Sequence, residues 1–211
     1  SSQSSKEEDL YQYTPDSFRD APCFHVQVNP GVPDARLLNA VVFHLTNEVR
    51  VKYNLKALDY NILLEKSAML HSDNMVKHQF FDHIDRKNRN LRNPNDRARA
   101  VGIANPYLAE NIMETFVLQY KAGEPVYTGS KGVFRLSPDA EPLQAYNYLE
   151  LGESLLAGWM NSPVHRSNIL SPQARELGCG SSFFLNTDFN DMPTVICTQN
   201  FQLYEPVRVI E

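Results

Sequence analysis

The stretch Trp159-Met160-Asn161-Ser162-Pro163-Val164-His165-Arg166-Ser167-Asn168-Ile169-Leu170 decides how this chain is interpreted. The residues before it, from Leu149 to Trp159, place apolar side chains at helical spacing, which predicts a helix. Asn161-Ser162-Pro163 ends that helix, because a proline disfavours helical backbone in the residue before it. The sequence therefore predicts that His165 lies on a short polar turn outside the helix.

Two longer helices are predicted upstream of this stretch. Apolar residues at spacings of 4, 3 and 4 predict one helix over 34–53 and another over 62–79. A short helix is predicted over 96–102. His71 and His78 share the buried side of the second long helix. We interpret both as histidines at the edge of the core, hydrogen-bonded to backbone or to a neighbouring helix.

Two polar residues stand out beside apolar segments. Phe80-Phe81-Asp82-His83 follows the second long helix and leaves His83 on a polar loop, where binding residues are frequently found. Ala109-Glu110-Asn111-Ile112 places Glu110 between apolar neighbours, and a buried carboxylate requires a partner. His83 and Glu110 are therefore candidate site residues.

Two of the three cysteines form a pattern. Cys179 and Cys197 lie in β-prone runs on either side of a polar turn over 186–191, which predicts a β-hairpin. Neighbouring strands would bring the two thiols close enough for a disulfide, which would stabilise by about 3 kcal/mol. Two buried free thiols are the alternative. A disulfide would indicate an extracytoplasmic location. Cys23 lies far from both in the sequence.

Length and composition predict one domain with extensions, because 211 residues with 42% apolar content can bury one sizeable core. Residues 1–20 begin in a Ser-rich polar stretch and are assigned to a flexible tether, a possible site of lipid attachment. Residues 21–211 are assigned to a single domain. Within it, Phe116, Leu118 and Tyr120 alternate and predict a hairpin, which opens an insertion over about 116–142.

Charge and hydropathy narrow the classes of partner. The net charge is −5 and the chain has no Lys/Arg-rich block, whereas nucleic-acid surfaces concentrate positive charge, so no nucleic-acid partner is predicted. The basic stretch over 86–99 is interpreted as a solvated loop and helix start. No apolar run approaches the roughly 20 residues of a membrane-spanning helix, so no transmembrane segment is predicted.

The order of these elements predicts an α+β domain with helices packed on a small antiparallel sheet. The stretch from Trp159 to Leu170 is similar to the signature of bacterial CAP domains, the superfamily of cysteine-rich secretory, antigen 5 and pathogenesis-related proteins. Four further motifs follow the order of that family. They are His71-Ser72-Asp73-Asn74-Met75 with Phe80-Phe81-Asp82-His83, Ala109-Glu110-Asn111-Ile112, Glu176-Leu177-Gly178-Cys179-Gly180 and Thr198-Gln199-Asn200-Phe201.

The resemblance covers about 35–203 and implies a three-layer α-β-α sandwich with a small central antiparallel sheet and a wide cleft. In many eukaryotic members the cleft carries two His and two Glu. His83, Glu110 and His165 match three of these positions, and Ser162 stands at the position of the second Glu. Glu153 or Glu114 could supply a carboxylate from elsewhere in the chain.

The chemistry of these residues predicts a polar cleft. Two neutral imidazoles, His83 and His165, could bind Zn²⁺ or another divalent ion weakly, with Glu110 orienting one ring. The alternative is a hydrogen-bonded cluster of His83, Glu110 and His165 that ties three loops together.

The resemblance implies a secreted or extracytoplasmic binding module, whether extracellular, periplasmic or anchored at the cell surface. Its ligand would be a lipid, a glycan, a cell-wall fragment or a protein. Tyr120 and Tyr127 near the predicted hairpin are candidate contacts with a sugar or lipid, and packing of the insertion onto the body is the alternative. The enzyme alternative is an extracellular hydrolase that uses a cleft His as base and Ser162 or Ser167 as nucleophile. The chain has no Gly-x-Ser-x-Gly and no His-Glu-x-x-His motif, which gives that alternative little support.

Overall fold

The computed structural model describes residues 9–130 and 132–211, which form five α-helices and six β-strands. The α-helices are α1 Ala35–Lys52, α2 Ile62–His78, α3 Pro94–Ala100, α4 Tyr148–Asn161 and α5 Pro163–Ile169. The strands are β1 Asp59–Tyr60, β2 Leu108–Phe116, β3 Tyr127–Thr128, β4 Phe134–Arg135, β5 Ala174–Asn186 and β6 Met192–Leu203.

The predicted long helices are confirmed to within a residue at each end. Each begins at a polar cap: the side chain of Asp34 accepts from the N–H of Arg36, and that of Asn61 accepts from the N–H of Leu63. The short helix α3 begins two residues before the predicted start, because Asn93 and Asp96 form a capping box around its first turn. None of the helices in the described ranges is long and apolar enough to cross a membrane.

The central sheet has the strand order β1-β5-β6-β2. The predicted hairpin is β5 with β6, and β2 pairs antiparallel with β6 on its other side. The sheet is mixed rather than wholly antiparallel as predicted, because the two-residue strand β1 runs parallel to β5. Strand β2 therefore lies at one edge of the sheet.

The alternation of side chains along β5 and β6 builds the three predicted layers. Leu177 and Cys197 join the main core with α1 and α4, which includes the fully buried Trp159. Gly178 and Gly180 face α2 on the other side of the sheet. A Cβ atom at Gly178 would lie 2.0 Å from the backbone nitrogen of Glu65, so these glycines let α2 lie directly on the sheet.

The possible disulfide between Cys179 and Cys197 is not formed, and both are buried free thiols. The strand register explains this result, because Cys179 lies opposite Gln199 and Cys197 lies opposite Ser181. The two thiols are therefore diagonal neighbours on one face of the sheet, where Cβ atoms stand farther apart than in a directly opposed pair. Burial raises the pKa of both thiols.

The tether predicted over 1–20 is wrong for its second half, while residues 1–8 lie outside the described residues. Phe18 is fully buried and stacks on His44 of α1. Tyr11 stacks on Tyr60, and its hydroxyl donates a hydrogen bond to Glu65. Aromatic side chains spaced among polar residues thus anchor the segment to the domain.

The hairpin predicted at the start of the 116–142 insertion is displaced along the chain. Phe116 is still the last residue of β2, and Leu118 forms an isolated bridge with Ala145. The hairpin is made by β3 and β4 instead. Phe134 of β4 is buried in the main core, which holds the insertion against the body.

Candidate functional site

Glu110 is the centre of the candidate site. Its place in β2 puts its side chain on the α2 face of the sheet, where the residue is 7% exposed. Nη2 of Arg97 donates to both carboxylate oxygens, at 2.9 and 2.8 Å. Arg97 belongs to the stretch predicted to be solvated, and that prediction is wrong for this residue, which is fully buried. The buried carboxylate thus has a buried cationic partner, as charge burial requires.

His83 lies at the surface end of the same cluster. Its Nδ1 is 3.0 Å from Oε1 of Glu110, and its side chain is 43% exposed. An ionised carboxylate only accepts hydrogen bonds, so Nδ1 carries a proton, and in the neutral ring Nε2 therefore keeps a lone pair. No hydrogen bond joins Nε2 to any of the described residues. Nε2 is therefore available to a ligand.

The loop that carries His83 is held by its backbone. Arg97 donates to the carbonyl of His83 at 3.2 Å, in addition to its bonds with Glu110. The buried Asp85 accepts from the backbone N–H groups of Lys87 and Asn88 at 2.9 and 3.0 Å. One arginine thus fixes both the carboxylate and the loop.

His71 joins the site from α2, and it lies inside the core rather than at the predicted core edge. It is fully buried, and its Nε2 is 3.6 Å from Oε1 of Glu110, beyond hydrogen-bond distance. Burial lowers the pKa of His71 to about 4, against the attraction of Glu110. His78 is only half-buried. His71 is therefore a neutral imidazole beneath the carboxylate.

The protonation of Glu110 follows from its partners. Burial on its own would raise the pKa of Glu110, but the hydrogen bond from His83 and the charge of Arg97 outweigh it. The pKa consequently lies below its usual value, and Glu110 stays ionised. The net charge of Glu110 and Arg97 together is zero, so this pair does not present an uncompensated negative charge.

His165 lies on α5 and not on the predicted turn. Pro163 occupies the first turn of α5, where a missing N–H is tolerated, so the proline that ends α4 also begins the next helix. Asn111 donates to the carbonyl of His165 at 3.1 Å, and Arg50 donates to the carbonyl of Ile169 at 2.8 Å. Burial, together with the charge of His83, lowers the pKa of His165.

The other carboxylates and serines named by the sequence do not complete a tetrad. Glu153 pairs with Arg19 at 2.6 Å on the outside of α4. Glu114 lies four residues beyond Glu110, about 13 Å along β2. Ser162 caps the start of α5 through its backbone only, and the Ser167 hydroxyl donates to the carbonyl of Val164 at 2.7 Å.

The site does not fit a tightly bound metal ion. A tight zinc centre needs three protein ligands, and the carboxylate of Glu110 already carries two bonds from Arg97. In the described part of the chain, no group of three or more His, Cys, Asp or Glu side chains is placed to hold an ion. The two-histidine site formed by His83 and His165 stays a prediction, with Glu110 outside the first coordination shell.

The stability of the protein is expected to fall as the pH drops from about 6.5 to about 4. The folded pKa of His71 lies below its unfolded value of 6.5, so in this window the unfolded chain binds a proton that the folded chain excludes. The linked loss is roughly 3 kcal/mol, at about 1.4 kcal/mol per pH unit.

Urea unfolding at several pH values checks this dependence. We expect His71→Gln to flatten the slope between about pH 6.5 and 5, above the range in which exposed carboxylates titrate. His78→Gln, on the same helix, is the matched control and should keep the wild-type slope. An unchanged slope in His71→Gln would contradict the assignment.

A three-layer α/β/α domain, with a buried glutamate between a loop histidine and a helix histidine, defines the class of this protein. The chain belongs to the CAP family, the cysteine-rich secretory protein family, whose profile matches residues 43–201.

Two proteins of Bacillus subtilis (strain 168) are similar to the chain. The YkwD protein is 31% identical over 140 residues, covering 66% of this chain and 40% of YkwD. The membrane protein YlbC is 26% identical over 139 residues, covering 66% of this chain and 30% of YlbC. The chain thus spans less than half the length of these relatives.

A solved structure shares the fold. It is an extracellular protein containing an SCP domain from Bacillus anthracis str. Ames, with a TM-score of 0.53 and 23% sequence identity. The match covers 80% of this chain and 41% of that one.

Proposed function

We propose that this chain is an extracytoplasmic binding module whose cleft at His83 and His165 takes a glycan or a cell-wall fragment. The observation that carries the proposal is the hydrogen bond between Nδ1 of His83 and Glu110, which leaves Nε2 of an exposed ring as an acceptor. Glycans present many hydroxyl donors to such an acceptor. The extracellular SCP-domain protein with the same fold supports the location.

The charge of the cleft favours a neutral polar ligand. Glu110 is compensated by Arg97, and burial lowers the pKa of His165, so this imidazole is neutral near pH 7. The residues of the site therefore carry no net charge that would bind a cation or an anion strongly. A lipid or a protein is the alternative ligand for this site. Attachment to a membrane through a lipid on residues 1–20 is a separate prediction that concerns location.

A hydrolase finds no support in the geometry. A serine nucleophile needs a hydrogen bond to its base, and across residues 9–130 and 132–211 no such bond joins Ser162 or Ser167 to an imidazole. Glu110 is unsuited to act as a general base, because its ionised form is stabilised by Arg97.

Titration of the ¹⁵N-labelled protein with an oligomer of N-acetylglucosamine, the probe for a cell-wall glycan, tests the proposal. We expect the ring resonances of His83 and His165 to shift, and His83→Ala to weaken binding by about tenfold, which corresponds to loss of a hydrogen bond at about 1.4 kcal/mol. His78→Ala is the matched control and should bind normally.

The outcomes of this titration separate the ligand classes. Ring shifts with phosphatidylcholine vesicles but not with the sugar would assign the cleft to lipid. A glycan titration that moves neither ring would contradict the proposal.

A separate titration with Zn²⁺ tests the two-histidine prediction. With only two protein ligands we expect a Kd of about 0.1 mM or weaker, and loss of the heat in both His83→Ala and His165→Ala. Heats that persist unchanged in both variants would eliminate the site. A Kd below about 1 µM would show that a third ligand had been missed.

A further inference from the structure

The outer edge of β2 is only partly closed. Trp159 Nε1 donates to the carbonyl of Ile112 at 3.1 Å, and Asn168 Nδ2 approaches the carbonyl of Glu110 at 3.4 Å. These carbonyls therefore point away from β6. Because N–H and C=O directions alternate along an antiparallel strand, the backbone groups of Glu114 and Phe116 also point away from β6.

The outward direction of the backbone groups of Glu114 and Phe116 agrees with the hydrogen bond that Val117 makes on the β6 side. Val117, the next odd-numbered residue, donates to Pro193 at the end of β6 at 2.8 Å. Within residues 9–130 and 132–211, no hydrogen bond reaches the N–H or C=O of Glu114 or the N–H of Phe116 from outside the β2–β6 pair. The open segment ends at Trp159 on one side and at the Leu118–Ala145 bridge on the other. It is long enough for a short added strand.

A groove lies on each side of this open segment. The groove on the α2 face has a volume of about 640 Å³, and its apolar wall includes Met75, Phe80 and Phe184. Two carboxylates, Glu114 and Asp188, also line it. Phe81 and Leu185 at its rim are 50% and 52% exposed.

The groove on the α4 face is more polar. Its volume is about 450 Å³, and Thr115, Tyr120, Lys121 and Ser154 line it. An extended chain turns alternate side chains to opposite faces, so a strand laid beside Glu114 would fill both grooves at once. The two grooves and the free backbone groups together match the requirements of strand addition.

We propose that the edge of β2 at Glu114 and Phe116 binds an extended polypeptide segment of a partner protein as an added strand. The segment carries apolar residues and one basic residue on the side that enters the α2-face groove, where Glu114 and Asp188 complement the positive charge. Its other side is polar. This surface lies on the same strand as Glu110 but does not include His83 or His165, so it is a separate surface from the site at those two histidines.

The probe is an acetylated, amidated six-residue peptide in which threonine alternates with lysine, phenylalanine and valine. We expect it to shift the amide resonances of Glu114 and Phe116. N-methylation of one alternating set of peptide nitrogens should abolish binding, while N-methylation of the other set should change it by less than about twofold, because only one set faces the edge. Equal losses from both sets would overturn strand addition.

Two variants of Glu114 distinguish the contribution of its backbone N–H to peptide binding from that of its side-chain charge. Glu114→Pro removes the outward N–H at an edge position that tolerates proline, and should weaken binding by at least about tenfold. Glu114→Gln keeps the N–H and should weaken binding by only about threefold, as expected for one exposed charge. The N-methyl comparison decides the matter if Glu114→Pro does not fold. Absence of peptide binding at about millimolar concentration, or self-association that Glu114→Pro abolishes, would overturn the proposal.

Discussion

Arg97→Met is expected to destabilise the protein by about 3–5 kcal/mol, because it leaves the buried carboxylate of Glu110 without its cationic partner. The loss should be largest near pH 7. The pKa of Glu110 is lower in the folded protein than in the unfolded chain. The ion pair therefore stabilises the fold fully at pH values above the unfolded pKa, and this stabilisation is lost as the pH falls through the folded pKa. Urea unfolding at about pH 7 and about pH 4.5 measures both effects.

Arg99→Met is the matched control, because Arg99 lies on the same helix with a side chain that is 57% exposed. We expect it to change the free energy of unfolding by less than about 0.5 kcal/mol. The double variant Arg97→Met with Glu110→Gln should recover part of the loss, since no charge is then left buried. A loss below about 1 kcal/mol for Arg97→Met would contradict the assigned pair.

Gly178→Ala is expected to cost about 3 kcal/mol or more, or to prevent folding. Its Cβ would lie 2.0 Å from the backbone nitrogen of Glu65 and 2.3 Å from the carbonyl carbon of Leu64. Backbone atoms of a helix cannot rotate aside as a side chain would, so α2 would have to move off the sheet. Because α2 carries His71, the same shift would disturb the site.

Gly129→Ala serves as the control for Gly178→Ala. Nothing lies within 4 Å of a Cβ at Gly129, and its φ is not in the left-handed region. We expect its unfolding free energy to stay within about 0.5 kcal/mol of the wild type. Thermal unfolding of both variants compares them directly. Similar midpoints would mean that the helix is not in close contact with the sheet.

The elements that show a local pattern could be predicted from the sequence. The helical spacing of apolar residues and the caps Asp34 and Asn61 define α1 and α2, and the turn after Asn186 defines the β5–β6 hairpin. The strand β1 has two residues, too few for a pattern, and it exists only because β5 lies beside it. Its parallel direction could not be foreseen.

The site could be predicted in outline only. The sequence predicts His83, Glu110 and His165 as site residues, and it predicts that a buried Glu110 needs a partner, which Arg97 supplies. The sequence does not reveal Arg97 as that partner, because it lies among basic residues that are exposed. Arg97 is buried because α3 packs against β2, where Glu110 lies 13 residues further along the chain. The sequence does not reveal the place of His71 in the site either. A histidine within the apolar stripe of a helix has the same sequence pattern whether it only packs in the core or also faces a site.

The N-terminal segment shows a similar limit. The polar composition of residues 1–20 indicates a tether, yet three aromatic residues of this segment, Tyr11, Tyr13 and Phe18, pack on His44 or its neighbour Phe43 in α1. Burial of a large apolar side chain stabilises by about 1.5–3 kcal/mol, so a few aromatic rings anchor the segment to the domain. Average composition therefore misjudged this segment.

The measurement that tests this account most directly is the tautomer of His83, read from long-range ¹H–¹⁵N correlations of its ring at about pH 8. Glu110 held by Arg97 predicts a proton on Nδ1 and a free lone pair on Nε2 in the wild type, and a change of tautomer population in Arg97→Met or Glu110→Gln. A proton on Nε2 in the wild type would contradict the account, because His83 would then have no hydrogen bond to Glu110.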